Sequence, residues 1–354
     1  MDAIPAEQLL PPRRAGVMLL ALLALAAVLC AASVALPHNP YIRFQQFASG
    51  DFSRVRWVYE RIHFDPTPID VAVIGSSRTE AAISAPKLEM ALSAQLGRPV
   101  HVANLAVPLE GRDTHYVIAQ ELMRAHPETR LVLLSLVEPI RRSHPAFRNI
   151  ADARTVLTQP MWLNYYWLDN AAFLPYRNLS LFFQSRFPAL FGMDAQFNAP
   201  RYAQQGGTAF DTTKSFRLDN GALVDRESLK DEAVLDRDWG GGARSAPSRL
   251  AQLTGADDNI VENGLTAALA QQLHARCTGL VLVHMPIYRA DNSAIDIATN
   301  ERAAPILLTP PSIGDSWQDF SDPGHLRRSG IDKVTDWLPG ALTPYLGPLE
   351  RKGC

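Results

Sequence analysis

Hydrophobic positions follow three patterns along the chain. The first is a charge-free run, GVMLLALLALAAVLCAASVAL, from Gly16 to Leu36. As a helix it spans roughly 30 Å, the thickness of a bilayer's hydrocarbon core. The apolar stretch of a cleaved signal peptide is shorter, about 7–15 residues. Leu29 stands before Cys30 where a lipid-modification site needs a small residue, and Pro37 and Pro40 close the run. The pattern predicts a tail over 1–15, a membrane anchor over 16–36 and a connecting segment with some helix over 37–67.

In the second pattern, short apolar runs alternate with amphipathic stretches. DVAVIG (70–75), VHVANLAV (100–107) and RLVLLSLVEP (130–139) read as buried strands, each too short and too uniformly apolar for a surface helix. Helical stretches ending near Gly97 and His126 separate them. Later come a helix over 259–277, a strand in GLVLVHMPIY, a fifth strand in APILLTP and a closing helical segment after His325. Such alternation predicts an α/β domain, 68–142 plus 249–354, with a parallel sheet covered on both faces. The third pattern is an insertion over 143–248, whose aromatic-rich part includes Trp162, Tyr165, Trp167, Phe173, Tyr176 and Phe183. Most of these rings suit the core of a subdomain, and a minority suit a glycan-stacking wall or a face against membrane or partner. Asn220-Gly221 predicts a tight hairpin turn.

Charge narrows the function classes. The formal net charge is -2, with 20% charged residues and no basic run longer than Arg141-Arg142, which gives no electrostatic case for nucleic acid. Arg13 and Arg14 before the span favour a cytoplasmic N-terminus; Arg43, Arg54 and Arg56 beyond it weaken that bias. Outside the span only Cys277 and Cys354 remain, too few for a disulfide framework though able to pair. Cys277, ending an apolar helix, reads as a small buried side chain. No cofactor or metal is expected: no ligand cluster has zinc spacing, and Gly240-Gly241-Gly242 lacks the lysine of a phosphate loop.

Two stretches carry candidate chemistry. Gly75-Ser76-Ser77 sits where the first strand meets the first helix, the carboxyl edge at which open α/β sheets bind ligands. Asp322-Pro323-Gly324-His325 precedes the last helix. Each has a plain structural reading, a helix N-cap for the serines and a turn for the aspartate. In such a sheet, however, the two stretches can converge, with Ser77 as nucleophile, His325 as base and Asp322 orienting it. Arg78 suits an anionic or sugar substrate about as well as it suits a solvated first turn. Asp113 and His115 read as surface residues of a helix.

Strand-Gly-x-Ser early and Asp-x-x-His-Leu late resemble the SGNH/GDSL hydrolase superfamily, over about residues 68–140 and 255–345. The resemblance implies a flavodoxin-like, doubly wound sheet and assigns nucleophile, acid and base to Ser77, Asp322 and His325. It implies oxyanion donation from the Ala106 amide. The usual third-block asparagine is replaced by Glu138, with Asn104 as a substitute donor or simply a strand-end cap. Gly314-Asp315-Ser316 spells the family signature but lacks the strand and helix around it, so it reads as a loop. The looser pattern is similar to membrane-anchored members that modify bacterial envelopes, in polysaccharide O-acetylation and teichoic-acid D-alanylation. These work beside a membrane-bound O-acyltransferase. The implied protein is a single-pass inner-membrane acyltransferase or esterase with its domain outside the cytoplasm; the alternative is a non-catalytic assembly subunit.

Overall fold

The apolar runs become strands because every side chain on them finds a buried face. The computed structural model of the protein describes residues 11–47, 54–108, 111–136, 144, 146–158, 166–217, 221–239, 260–289 and 301–346. Five strands, β1 (Val71–Ile74), β2 (Val102–Asn104), β3 (Leu131–Ser135), β6 (Gly279–His284) and β7 (Ile306–Leu308), form one sheet in the order β2-β1-β3-β6-β7. All its pairings are parallel, with Val71 opposite Val102 and Leu131, Leu131 opposite Gly279, and Leu282 opposite Ile306. The expected α/β class and parallel sheet are therefore present.

Alternation along the strands divides the core in two. Ala72, Ile74, Val132, Leu134, Leu280 and Leu282 face one layer, built from α2 (Pro40–Phe44), α3 (Arg54–His63), α6 (Arg112–Ala125) and α12 (Ile260–His274). Val71, Val73, Leu131, Leu133, Val281 and Val283 face the other, built from α5 (Ala85–Leu96) and α13 (Arg328–Leu346). The segment after the apolar span is thus more than a connector. Val55, Val58 and Ile62 recur at helical spacing and are buried on the sheet.

The N-terminal helix α1 (Pro12–Val34) is long and apolar enough to cross a membrane, and its most apolar window is unburied. It starts earlier than the charge-free run because Pro12 occupies a first-turn position where its fixed φ suits a helix. It ends before Pro37.

The insertion contributes α7 (Phe147–Ile150), α8 (Ala153–Thr158), α9 (Trp167–Arg186) and α10 (Ala199–Gln204), then a hairpin of β4 (Phe216–Arg217) and β5 (Leu223–Val224), and α11 (Glu232–Trp239). Gly221 has φ 82°, the left-handed value the hairpin turn requires. Tyr202 on α10 donates to Asp65 at 2.6 Å, and Arg201 pairs with the fully buried Glu60. These bonds lock the insertion onto α3. Cys277 is disulfide-bonded and half-buried: it pairs, as the sequence allowed, which corrects the reading of a small buried side chain. Trp162, Tyr165, Asn220, Gly240-Gly241-Gly242 and Cys354 lie outside the described residues.

Candidate active site

Backbone geometry at the end of β1 fixes Ser77. Gly75 leaves the sheet so closely packed that a Cβ there would sit 2.8 Å from both Ser135 Cβ and Thr79 Oγ1. Only glycine permits that approach. The chain turns through Ser76 in extended conformation and enters α4 (Ser77–Ala82), with Ser77 its first helical residue. Ser76 occupies the N-cap position, yet its side chain makes no capping bond.

The opposing half stands on a second hairpin, β8 (Phe320–Asp322) and β9 (His325–Leu326). Phe320 and Leu326 anchor it, at 0% and 2% exposure. Asp322 Oδ1 accepts the Gly324 amide at 2.8 Å, so the turn expected of Asp-Pro-Gly is present. The same carboxylate stands 2.9 Å from His325 Nδ1 through each oxygen. His325 Nε2 lies 2.7 Å from Ser77 Oγ. Serine, histidine and aspartate therefore form one continuous hydrogen-bonded chain.

Protonation follows from that chain. Burial raises the Asp322 carboxyl, but the His325 hydrogen bond and charge, the Gly324 amide and the charge of Lys230 outweigh it and hold the group below its ordinary value. An ionised carboxylate only accepts, so Nδ1 carries the hydrogen and Nε2 is left to accept from Ser77. A hydroxyl held this way can pass its proton to the imidazole as it attacks an acyl carbon. The first amides of α4 have no intrahelical acceptor and lie at the same helix end as Oγ, where an oxyanion would develop.

Two expected oxyanion donors are engaged elsewhere. Asn104 Nδ2 donates to the Ile83 carbonyl at 2.8 Å, and its Oδ1 accepts the Ala106 amide at 3.1 Å. Asn104 is 2% exposed and ties the end of β2 to the α4–α5 junction, which is the cap geometry. Glu138 lies outside the described residues. Gly314, Asp315 and Ser316 form a loop before β8, apart from the serine-histidine chain.

Arg78 is half-buried beside the hairpin, its Nε 3.9 Å from where a Cβ on Gly324 would sit. Its charge also reaches His284 at the carboxyl end of β6. Burial, then Arg78, push that imidazole down to about 4. Sequence reading passed over His284; the one available signal was a polar residue closing an otherwise apolar strand.

Asp113 and His115 are not surface residues: they are 5% and 1% exposed. They lie on the first turn of α6, which runs under the ends of β1 and β3. Arg112, also buried, donates to the Ser135 carbonyl at 2.7 Å. Burial, followed by the charge of Arg112, pushes the His115 imidazole well below the ordinary value. This layer buttresses the turn that carries Ser77. Among the described residues no group of three or more histidine, cysteine or acidic side chains could hold a metal ion.

No protein-family model matches the chain, and no curated protein matches it.

Proposed function

We propose that this is a membrane-anchored, serine-dependent acyltransferase or esterase of the SGNH type. It would act on a polysaccharide or other glycopolymer of the bacterial envelope. The observation that carries the reading is the Ser77–His325–Asp322 chain, with Nε2 2.7 Å from Oγ. The strand order agrees with the flavodoxin-like arrangement, in which ligands lie at the carboxyl edge where the order reverses, beside β1. Ser77 stands at that edge.

In this reading Ser77 Oγ attacks the acyl donor's carbonyl carbon while His325 Nε2 takes its proton. The tetrahedral intermediate collapses, and the leaving oxygen departs with the proton from His325. An acceptor hydroxyl then gives its proton to His325 as its oxygen attacks the acyl-serine, and His325 returns that proton to Ser77 Oγ as the bond from Oγ to the acyl carbon breaks. A sugar acceptor makes the protein a transferase, and water makes it an esterase. Arg78 would hold an anionic part of donor or acceptor. The anchor fits a domain outside the cytoplasm, working beside a membrane-bound O-acyltransferase.

The test is covalent labelling of the full chain in detergent with an activated acyl ester, read by intact mass and peptide mapping. An adduct on Ser77 that is absent from Ser77→Ala is expected. A folded protein that labels nowhere, with or without membrane partners, would sink the catalytic reading and leave the assembly role.

A further inference from the structure

Helix α9 has its amphipathic faces reversed. The side turned toward the protein is largely polar: Asn170, Arg177, Asn178 and Gln184 are buried there with Leu174 and Leu181. Arg177 donates to the carbonyls of Arg148 and Ala151 at 2.8 and 2.6 Å. The side turned outward is mainly apolar, with the charged Asp169 and Arg186 exposed near its two ends. Leu168, Tyr176, Leu179 and Phe183 are exposed on the helix, and Phe187 and Leu190 continue the line beyond it. Their spacing, with Ala172 filling the gap, steps by three or four residues and so traces one face. A contiguous apolar face of this kind marks an interaction surface rather than the scattered exposure of a water-facing helix.

Its place in the fold says what covers it. Asn178 Nδ2 donates to the carbonyl of Val34 at 2.6 Å, at the last residue of α1. Further on, Ser185 Oγ accepts the Asn39 amide at 2.9 Å. The two contacts advance together, so α9 runs in the same direction as the chain leaving α1. The end of α1 therefore meets the middle of α9, and the two helices are in contact there, while α1 before Ser33 stays exposed. Apolar surface faces outward on both helices, and the two meet at the end of α1. A bilayer that held α1 would meet the α9 stripe at its own boundary.

We propose that the outer face of α9, Leu168 to Phe183 with Phe187 and Leu190 beyond, is seated in the bilayer that α1 crosses. Tyr176, Phe183 and Phe187 occupy the headgroup–acyl boundary where aromatic rings are favoured. The polar inner face holds the α/β domain against the membrane surface. This inference rests on the anchor reading of α1.

The experiment reconstitutes the full chain in phosphatidylcholine–phosphatidylglycerol vesicles containing a phospholipid with an acyl-chain diazirine. After photolysis, lipid adducts are mapped by peptide. Adducts on α1 and on the exposed positions of 167–190 are expected. In the double variant Tyr176→Glu/Phe183→Glu, the α9 adducts should fall to the unirradiated level while those on α1 persist. Its thermal midpoint should match the parent's, because both residues are exposed. Adducts on α1 alone, with 167–190 modified by a water-borne reagent, would overturn the proposal and leave the stripe as a face for a protein partner. An unlabelled α1 would overturn the anchor reading and this one with it.

Discussion

Asp322 serves two bonds with one carboxylate, accepting the Gly324 amide and the imidazole of His325. Asp322→Asn keeps the first bond through its remaining carbonyl oxygen. Turned for the second, its NH₂ group faces Nδ1 and favours the tautomer that cannot accept from Ser77. Single-turnover acylation should fall by about 10⁴-fold, the size of effect seen when a triad's orienting carboxylate becomes an amide. The thermal midpoint should barely move. Asn104→Ala should behave the other way. It breaks the cap between β2 and the α4–α5 junction, at a cost of about 1–3 kcal/mol measured by denaturant unfolding. The acylation rate should hold within a few-fold, whereas loss of an oxyanion donor would lower it about 10²–10³-fold. At this scale Ser77, Asp322 and His325 were legible because position in a strand–helix alternation restricts where chemistry can sit. Asp113 and His115 were not. Helical periodicity shows that a helix has an inner face, but the strand ends above α6 bury its whole first turn.

At the scale of elements, the strands were legible from uniformly apolar runs such as LVLLS and GLVLVH, which have no solvent face to alternate with. The hairpin that carries Asp322 and His325 was not, since three- and two-residue strands are too short for a period to show. Only tertiary burial defines it, through Phe320 and Leu326. Phe320→Ala should therefore destabilise the fold by about 3–5 kcal/mol in denaturant unfolding. It should also slow acylation of Ser77 more than a surface variant of equal expression does, because His325 then loses the support that fixes it. Helix α9 escaped sequence reading for a different reason. Leu174 and Leu181 point inward, but Leu168, Tyr176, Leu179 and Phe183 point outward, so a pattern assumed mostly to face the core describes the wrong side.

For the whole molecule, buried neutral imidazoles set an acid limit. Burial pushes His144 down to about 4, although its bond to the Pro108 carbonyl opposes the shift. His284 is held at about 4 by burial and by Arg78. In the unfolded chain both take up a proton near 6.5. Between pH 6.5 and about 4 the unfolded state thus binds more protons, and stability falls as the pH falls. The loss should be on the order of 3 kcal/mol for each imidazole by the low end of that window. Denaturant midpoints compared at pH 7 and pH 5 should show a drop that His144→Gln reduces.

Ser77 and His325 meet across 248 residues of sequence. During synthesis the serine leaves the ribosome long before its base exists, and every unfinished chain carries a hydroxyl with no proton acceptor beside it. On the proposed reading, acylating power would arrive late and all at once, when the hairpin of β8 and β9 docks on α4. Contacts this distant in sequence are also the slow ones to form. A chain broken anywhere before residue 322 would therefore be inert, however well its sheet had begun to assemble, and reactivity toward an acyl ester would serve as a readout of completed folding.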